Sequence, residues 1–486
     1  MTDTRSSRFH FNLGETVPAS GQQPAAGSPK AAINHDLRDK IESCYINGLD
    51  IRQTKAYYDP KDMIVLHGTD GTVMSISRDQ LARGLAFVGG SGMGKSNVMY
   101  QVVEQCINHM KPEDKMVIVD SKGDYEEKFR KPGHYLMGSS DFYEDVTACW
   151  NIFAEIGELD QLGRPDHKMR EYNKAQELCR GFFSDEAEGN TKFFNDAAAE
   201  LMAATMCYLM WQAYTSGRIE TLCNYSLINL MLQADVNTYL TMIDAYPDDL
   251  GSLRSYLVAG DGASGEESQG VLSTLNQMIK SLFMSKAFGS GNHTGMSIRR
   301  FMQQQASQLM FIELDMQYVN TQSLLIRVLC NLVLQAGMSK SRGPGAVYLV
   351  IDEVALCGKI KLLSVAINFG RDLGNTRTCT SIIGMQNINQ LVSIYGEHEA
   401  KSLLNYGNVI LYNNVDAESR EWFTKRMGKA YELVTYQHQT TQVFHRECSV
   451  VNDWDIVSLH TGEAYVSLSD HEPFYFHFAK YGERTA

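Results

Sequence analysis

The sequence predicts an α/β fold with a central, mainly parallel sheet, interrupted by an inserted all-α domain. Three observations predict it. Short apolar, β-branched runs alternate with helical stretches on both sides of a middle region: AFV at 86–88, KMVIVD at 115–120, QLMFIELD at 308–315, VYLVIDE at 347–353, CTSIIGMQ at 379–386 and NVILYNN at 408–414. Runs of this kind are the mark of parallel strands covered on both faces. The middle region, from Trp150 to Ile298, has few such runs and instead carries apolar residues at helical spacing, as in FFNDAAAELMAATMCYLMWQAY. Finally, 486 residues exceed what one hydrophobic core comfortably holds.

Taken in order, residues 1–35 form a disordered N-terminal tail, because TVPASGQQPAAGSPKAA is polar and small and MTDTRSSRFHFNLGE lacks the apolar core of a signal peptide. Residues 36–149 make the first part of the sheet domain. Within them GLAFVGGSGMGKSNVMYQVVEQCI reads as strand, glycine loop and helix, and with KMVIVD it gives a βαβ unit over 83–121. Residues 150–300 make the all-α insertion, punctuated by the loop GDGASGEESQG at 260–270. A long helix follows the strand at 308–315, running through Leu324 to Gly337, and residues 301–486 complete the sheet domain. The most apolar windows, 197–214 and 323–334, are broken by Glu200, Gln212 and Arg327 and fall short of the ~20 residues of a spanning helix. They read as buried helices.

Composition excludes several classes. With 44 basic against 57 acidic residues the formal charge is -13, which rules out coating nucleic acid with the whole surface but leaves room for a local basic lining. The ten cysteines include no CxxC pair or other metal-ligand spacing, so neither a zinc site nor a disulfide framework is expected. A reducing cytoplasm suits them.

The chemistry lies in two motifs. Gly89-Gly90-Ser91-Gly92-Met93-Gly94-Lys95-Ser96 satisfies GxxxxGK[ST] between a strand and a helix. In this pattern glycines let backbone N–H groups cradle phosphate oxygens, Lys95 reaches the β- and γ-phosphates, and the Ser96 hydroxyl ligates magnesium. ATP and Mg2+ are therefore the expected cofactors. Hydrolysis needs in addition an acid at the end of a buried strand for the metal and a base for the attacking water. VYLVIDE supplies Asp352 for the metal shell and Glu353 for the water. The stretch between the motifs is longer than the core strands require, which again points to an insertion. Lys122 and Asp124 in DSKGDY follow the second core strand, at the carboxyl edge where ligands bind in such sheets.

These motifs, with VIVDSKGDY at 117–125, WNIF at 150–153, MSIRRFM at 296–302 and the block from VIDE through GRDLGN to SIIGMQNINQLVSIYG, resemble type IV secretion coupling proteins of the TraD/TraG type, within the FtsK/HerA-like P-loop ATPases. The resemblance covers most of residues 80–480. It implies a RecA-like P-loop nucleotide-binding domain with an all-α domain, hexameric rings, and ATP-driven delivery of relaxase-bound DNA or effector proteins to a secretion channel. It also assigns Arg371, in NFGRDLGN, to a position that acts on the neighbouring subunit's nucleotide, where a cation on the γ-phosphate accelerates transfer. Gln386, closing CTSIIGMQ, matches the polar sensor of the nucleotide state.

The implied partners are further copies of the chain, single- or double-stranded DNA, relaxase or effector proteins, and channel components. Family members begin with transmembrane helices, whereas this chain opens on a polar tail, so membrane association is expected to be indirect, at the inner face through a partner. No DNA-recognition module or long basic stripe stands out; Lys359 and Lys361, after the acidic strand, could touch a nucleic-acid backbone without reading sequence, though short Lys-containing segments are usually just solvated. Two other readings share the motifs: a nucleotide-gated recruitment platform for protein effectors, and a secretion-assembly or DNA-packaging ATPase.

Overall fold

The computed structural model describes residues 41–47, 51–138, 148–183, 189–258, 265–283, 295–306, 308–340, 343–371, 373–374, 377–404, 407–437 and 441–482. The expected tail, 1–35, and part of the expected loop, 260–264, lie outside them. The rest of that loop differs from the reading, since Glu266 already opens a helix that runs to Phe283.

The chain divides into two compact units. In the smaller one, strand β1 (Ile41–Asn47) pairs antiparallel with β11 (Lys429–Gln437), and β12 (Thr441–Ser449) completes a three-stranded sheet in the order β1-β11-β12. Within it the Tyr431 hydroxyl donates to Glu447. Sequence pattern alone assigns these segments to the two parts of the sheet domain. Their mutual pairing joins residues nearly four hundred positions apart, which no local periodicity reveals.

The larger unit is built on a nine-stranded sheet in the order β14-β13-β10-β4-β9-β8-β5-β7-β6. Its strands are β4 (Leu85–Val88), β5 (Lys115–Asp120), β6 (Tyr135–Met137), β7 (Gln308–Glu313), β8 (Gly345–Ile351), β9 (Arg377–Met385), β10 (Asn408–Leu411), β13 (Glu463–Ser467) and β14 (Phe474–His477). From β10 to β6 neighbours run parallel, and β13 and β14 add an antiparallel edge. Every residue of β4, β5 and β8 is buried, as strands covered on both faces must be. A two-stranded hairpin, β2 (Ile64–His67) with β3 (Val73–Ile76), accompanies the sheet. The expected βαβ unit over 83–121 is present as a crossover, but β4 and β5 are not neighbours: β9 and β8 lie between them.

The crossover helix α1 (Lys95–Asn108) buries Val98, Met99, Val102, Val103 and Cys106, a stripe at three- and four-residue spacing that packs on the sheet. Between Ile152 and Gln303 the described elements are helices and helical turns. Among them α2 (Gly189–Ser216) is buried along most of its middle turns and holds the centre of this region. The long helix α3 (Val319–Met338) returns the chain to the sheet. No described helix is long and apolar enough to cross a membrane.

At the amino edge of the sheet, buried Asn408 donates its amide to the carbonyls of Gln80 (2.6 Å) and Gly84 (2.8 Å) and accepts from the backbone and hydroxyl of Ser469 (3.0 and 3.2 Å). It thereby ties the entry to β4, the start of β10 and the turn after β13. Asn408→Ala leaves these buried groups unpaired, and we expect roughly 2 to 4 kcal/mol of lost stability, read as a lower urea or thermal midpoint.

Candidate functional site

The central strands end in register. Val88 of β4 pairs with Met385 of β9, Ile351 of β8 with Ile383, and Val119 of β5 with Ile351. The segments that follow them therefore lie side by side along one carboxyl edge: the glycine loop after β4, Gln386 after β9, Asp352 and Glu353 after β8, and the Lys122 loop after β5. This is the edge where open parallel sheets bind ligands.

The glycine loop is fixed from behind by backbone bonds. Gly89 N–H donates to Met385 O at 3.1 Å and Gly90 N–H to Asn413 O at 3.0 Å. A Cβ on Gly89 would lie 2.6 Å from the Tyr412 Cβ, so only glycine lets the two segments approach this closely. Ser91 and Gly92 face solvent, and Gly94, at φ 107°, turns the chain into α1 in a conformation that L side chains resist. The first N–H groups of α1 thus point toward the loop with no acidic side chain in the first turn to oppose an anion.

Lys95 bends back over this loop and donates to the carbonyls of Gly89 and, at 3.0 Å, Gly90. Burial holds its ammonium below the ordinary value; Glu353 and then Asp352 draw it back up, and Lys122 pushes it down. The Ser96 hydroxyl donates to Asp352 Oδ1 at 3.3 Å. Asp352, 5% exposed, also receives the Lys122 ammonium on Oδ2 at 3.2 Å. The pairing of Ser96 with Asp352 unites the two motifs that sequence spacing had only juxtaposed.

Glu353 sits beside them. Burial raises its carboxyl above the usual range, the Lys95 ammonium and the bonds donated by the Gln386 side chain and backbone lower it, and Asp352 raises it. Its Oε1 is buried and has no hydrogen-bond partner, so it keeps an unused acceptor. Gln386 is thus placed on the general-base candidate. One enabling residue escaped the sequence reading: a Cβ on Gly384 of β9 would overlap the Asp352 carbonyl, so glycine there is what admits the acidic turn.

The Lys122 loop is held by Asp120, whose carboxylate accepts from the backbones of Lys122, Gly123, Tyr125 and Glu126 at 2.9 to 3.1 Å. Burial raises this carboxyl and those four bonds oppose the rise. Asp124 accepts from the Tyr100 hydroxyl of α1 at 2.8 Å and serves packing between helix and loop. The last described segment straps α1 from outside: Asn97 and Gln101 both donate to Ala479 O at 3.0 Å, and the Tyr481 hydroxyl donates to Glu104 at 3.1 Å. The Gly462 N–H also reaches Met93 O of the glycine loop at 3.0 Å. No motif announces this strap.

Arg371 is elsewhere. It follows the helix α4 (Leu363–Phe369) and forms a forked ion pair with Asp79, Nε at 3.2 Å and a terminal nitrogen at 3.0 Å. Its neighbour Gly370 accepts from the Cys379 N–H near the start of β9, so at about 3.3 Å per residue Arg371 is roughly 20 Å along the strand from Gln386. Lys359 pairs with Glu399 at 2.7 Å, away from the acid pair.

The donor set suits a magnesium nucleotide. Magnesium keeps most of its waters and takes few protein ligands beside the phosphates, and here one hydroxyl and one carboxylate converge on the mouth of an anion cradle. Among the described residues no cluster of three or more His, Cys, Asp or Glu offers a self-sufficient metal site.

The family model described as the type IV secretion-system coupling protein DNA-binding domain matches residues 69–453. No curated protein sequence is a match. Among solved structures, the bacterial conjugative coupling protein TrwBdeltaN70 in its unbound monoclinic form superposes with a TM-score of 0.67 at 18% identity, covering 92% of this chain and 96% of that one. The plasmid coupling protein TrwB in complex with ADP and Mg2+ gives 0.65 at 18% identity over 91% and 96%. VirB4 of Thermoanaerobacter pseudethanolicus gives 0.50 at 15% identity over 87% and 98%. The fold is therefore the RecA-like nucleotide-binding fold of these proteins, and the chain belongs to the type IV secretion-system coupling protein family.

Proposed function

We propose that this chain is an ATP-hydrolysing coupling protein that works as a ring of identical subunits, six by family resemblance, and drives DNA, relaxase-bound DNA or an effector protein toward a type IV secretion channel. The observation that carries the enzymatic part is the meeting of Ser96 with Asp352, beside Lys95 and Glu353, around one anion cradle.

Each residue has a role that its position supports. The N–H groups from Gly89 to Ser96 cradle the phosphates, and the Lys95 ammonium, now spent on two loop carbonyls, is within reach of them. Ser96 and Asp352 would hold magnesium, whose charge draws off the negative charge that develops between the β- and γ-phosphates. Glu353, with a free buried oxygen, accepts a proton from water, and Gln386 orients it. Arg371 cannot serve its own loop from the opposite edge of the sheet. At 47% side-chain exposure it is available to a neighbouring subunit once Asp79 releases it.

The helical segment 150–300 is the inserted all-α domain in this reading, with cargo recruitment as its task. We assign the protein to the cytoplasm, docked on the inner membrane face through a partner.

Lys95→Ala is expected to lose ATP binding, whereas Glu353→Gln keeps it and lowers turnover by about 10² to 10⁴. Fluorescent-nucleotide titration and a phosphate-release assay separate the two. Arg371→Ala should preserve binding and cost about 10³ to 10⁵ in turnover, and mixing it with Lys95→Ala subunits should restore part of the activity. Single- or double-stranded DNA should accelerate wild-type turnover; monomeric, DNA-indifferent hydrolysis would overturn the motor reading. In that event, capture of effector or relaxase by the full chain in a nucleotide-dependent manner would favour a recruitment platform.

A further inference from the structure

We propose that Lys122 is a built-in counter-ion of the magnesium position, neutralising Asp352 while the metal is absent and yielding to it when magnesium nucleotide binds. The inference rests on the nucleotide-binding reading above and adds a residue that neither of its motifs contains.

The geometry separates a fixed part from a movable one. Asp120 grips the backbone of 122–126 through four N–H bonds, one of them from Lys122 itself, so the root of the side chain is held still. The side chain is 58% exposed, while the carboxylate it meets is 5% exposed. The ammonium therefore reaches in from solvent and can withdraw without disturbing the core. Asp352 has both oxygens engaged: Oδ1 by the hydroxyl that would join it on the metal, Oδ2 by Lys122. A buried carboxylate beside a site for a polyanion needs a compensating charge, and unpaired it would repel the incoming phosphates. Lys122 supplies that charge at 3.2 Å from Oδ2. Divalent magnesium, delivered with the nucleotide, supplies more of it and repels the ammonium. The proximity of Lys122 is felt by Lys95 as well, whose ammonium it destabilises.

Two consequences follow from removing the charge. Nucleotide binding without magnesium weakens, because Asp352 then faces the phosphates unneutralised. Magnesium binding tightens, because it no longer competes with an ammonium. The pair is partly exposed, so each effect is modest, about two- to fivefold, and it fades as salt screens it.

The test uses the full chain, a fluorescent ATP analogue, and magnesium chloride titrated at low and high ionic strength. Lys122→Met keeps the methylene stem and is expected to lower the magnesium concentration at half-effect by about two- to fivefold at low salt, with weaker magnesium-free binding. Lys122→Arg should behave as wild type. An unchanged magnesium midpoint in Lys122→Met, or a higher one, would overturn the inference. Lys95→Ala run in parallel distinguishes the causes: if it loses nucleotide, the site stands and only the Lys122 role falls, whereas undiminished binding removes the site and the inference together.

Discussion

The structure turns on a hydroxyl and a carboxylate 256 positions apart in the chain, Ser96 at the start of α1 and Asp352 past the end of β8. Neither residue has a function alone. A helix start offers N–H groups to any anion, and a strand-end carboxylate is usually a solvated cap. Brought to 3.3 Å, they define one point where a hard cation can bridge protein and phosphate. The sheet order makes this possible: β9 lies between β4 and β8, and its Gly384 leaves room for the Asp352 backbone to turn toward the loop. Parallel register then lines up the remaining parts on the same edge.

The same arrangement divides the expected site residues between two edges of the sheet. The cradle, the metal position, the base candidate and its orienting amide come from one carboxyl edge. The arginine expected to complete the charge balance is at the amino edge, engaged with Asp79. Beside Arg371, Phe369 and Val365 of α4 are exposed.

How much of this was legible from sequence depended on whether the signal was local. The glycine loop could be read because close backbone approach and a positive φ demand glycine at fixed intervals, and β8 because seven successive buried positions leave an unbroken apolar run before two acids. Helix α1 followed from its place after the glycine loop, and α3 from the alternation of strands with helices. Sheet order was not legible, since β4 and β5 are consecutive strands in that reading, yet two others separate them. The pairing of β1 with β11 and the strap of Ala479 and Tyr481 on α1 involve long-range partners with no repeating pattern. Lys122 was visible only as a residue near the right edge; its contact with Asp352 required knowing that β5 and β8 are adjacent.

The claim that two remote stretches share one metal-bound triphosphate is tested most directly by a double-mutant cycle on magnesium-dependent nucleotide affinity, with Ser96→Ala, Asp352→Asn and their combination. If both residues act through the same ion, the double variant should lose little more than the worse single one, a coupling of about 1 kcal/mol or more. Losses that simply add, to within about 0.5 kcal/mol, would mean that the two residues act independently and that no shared site joins them.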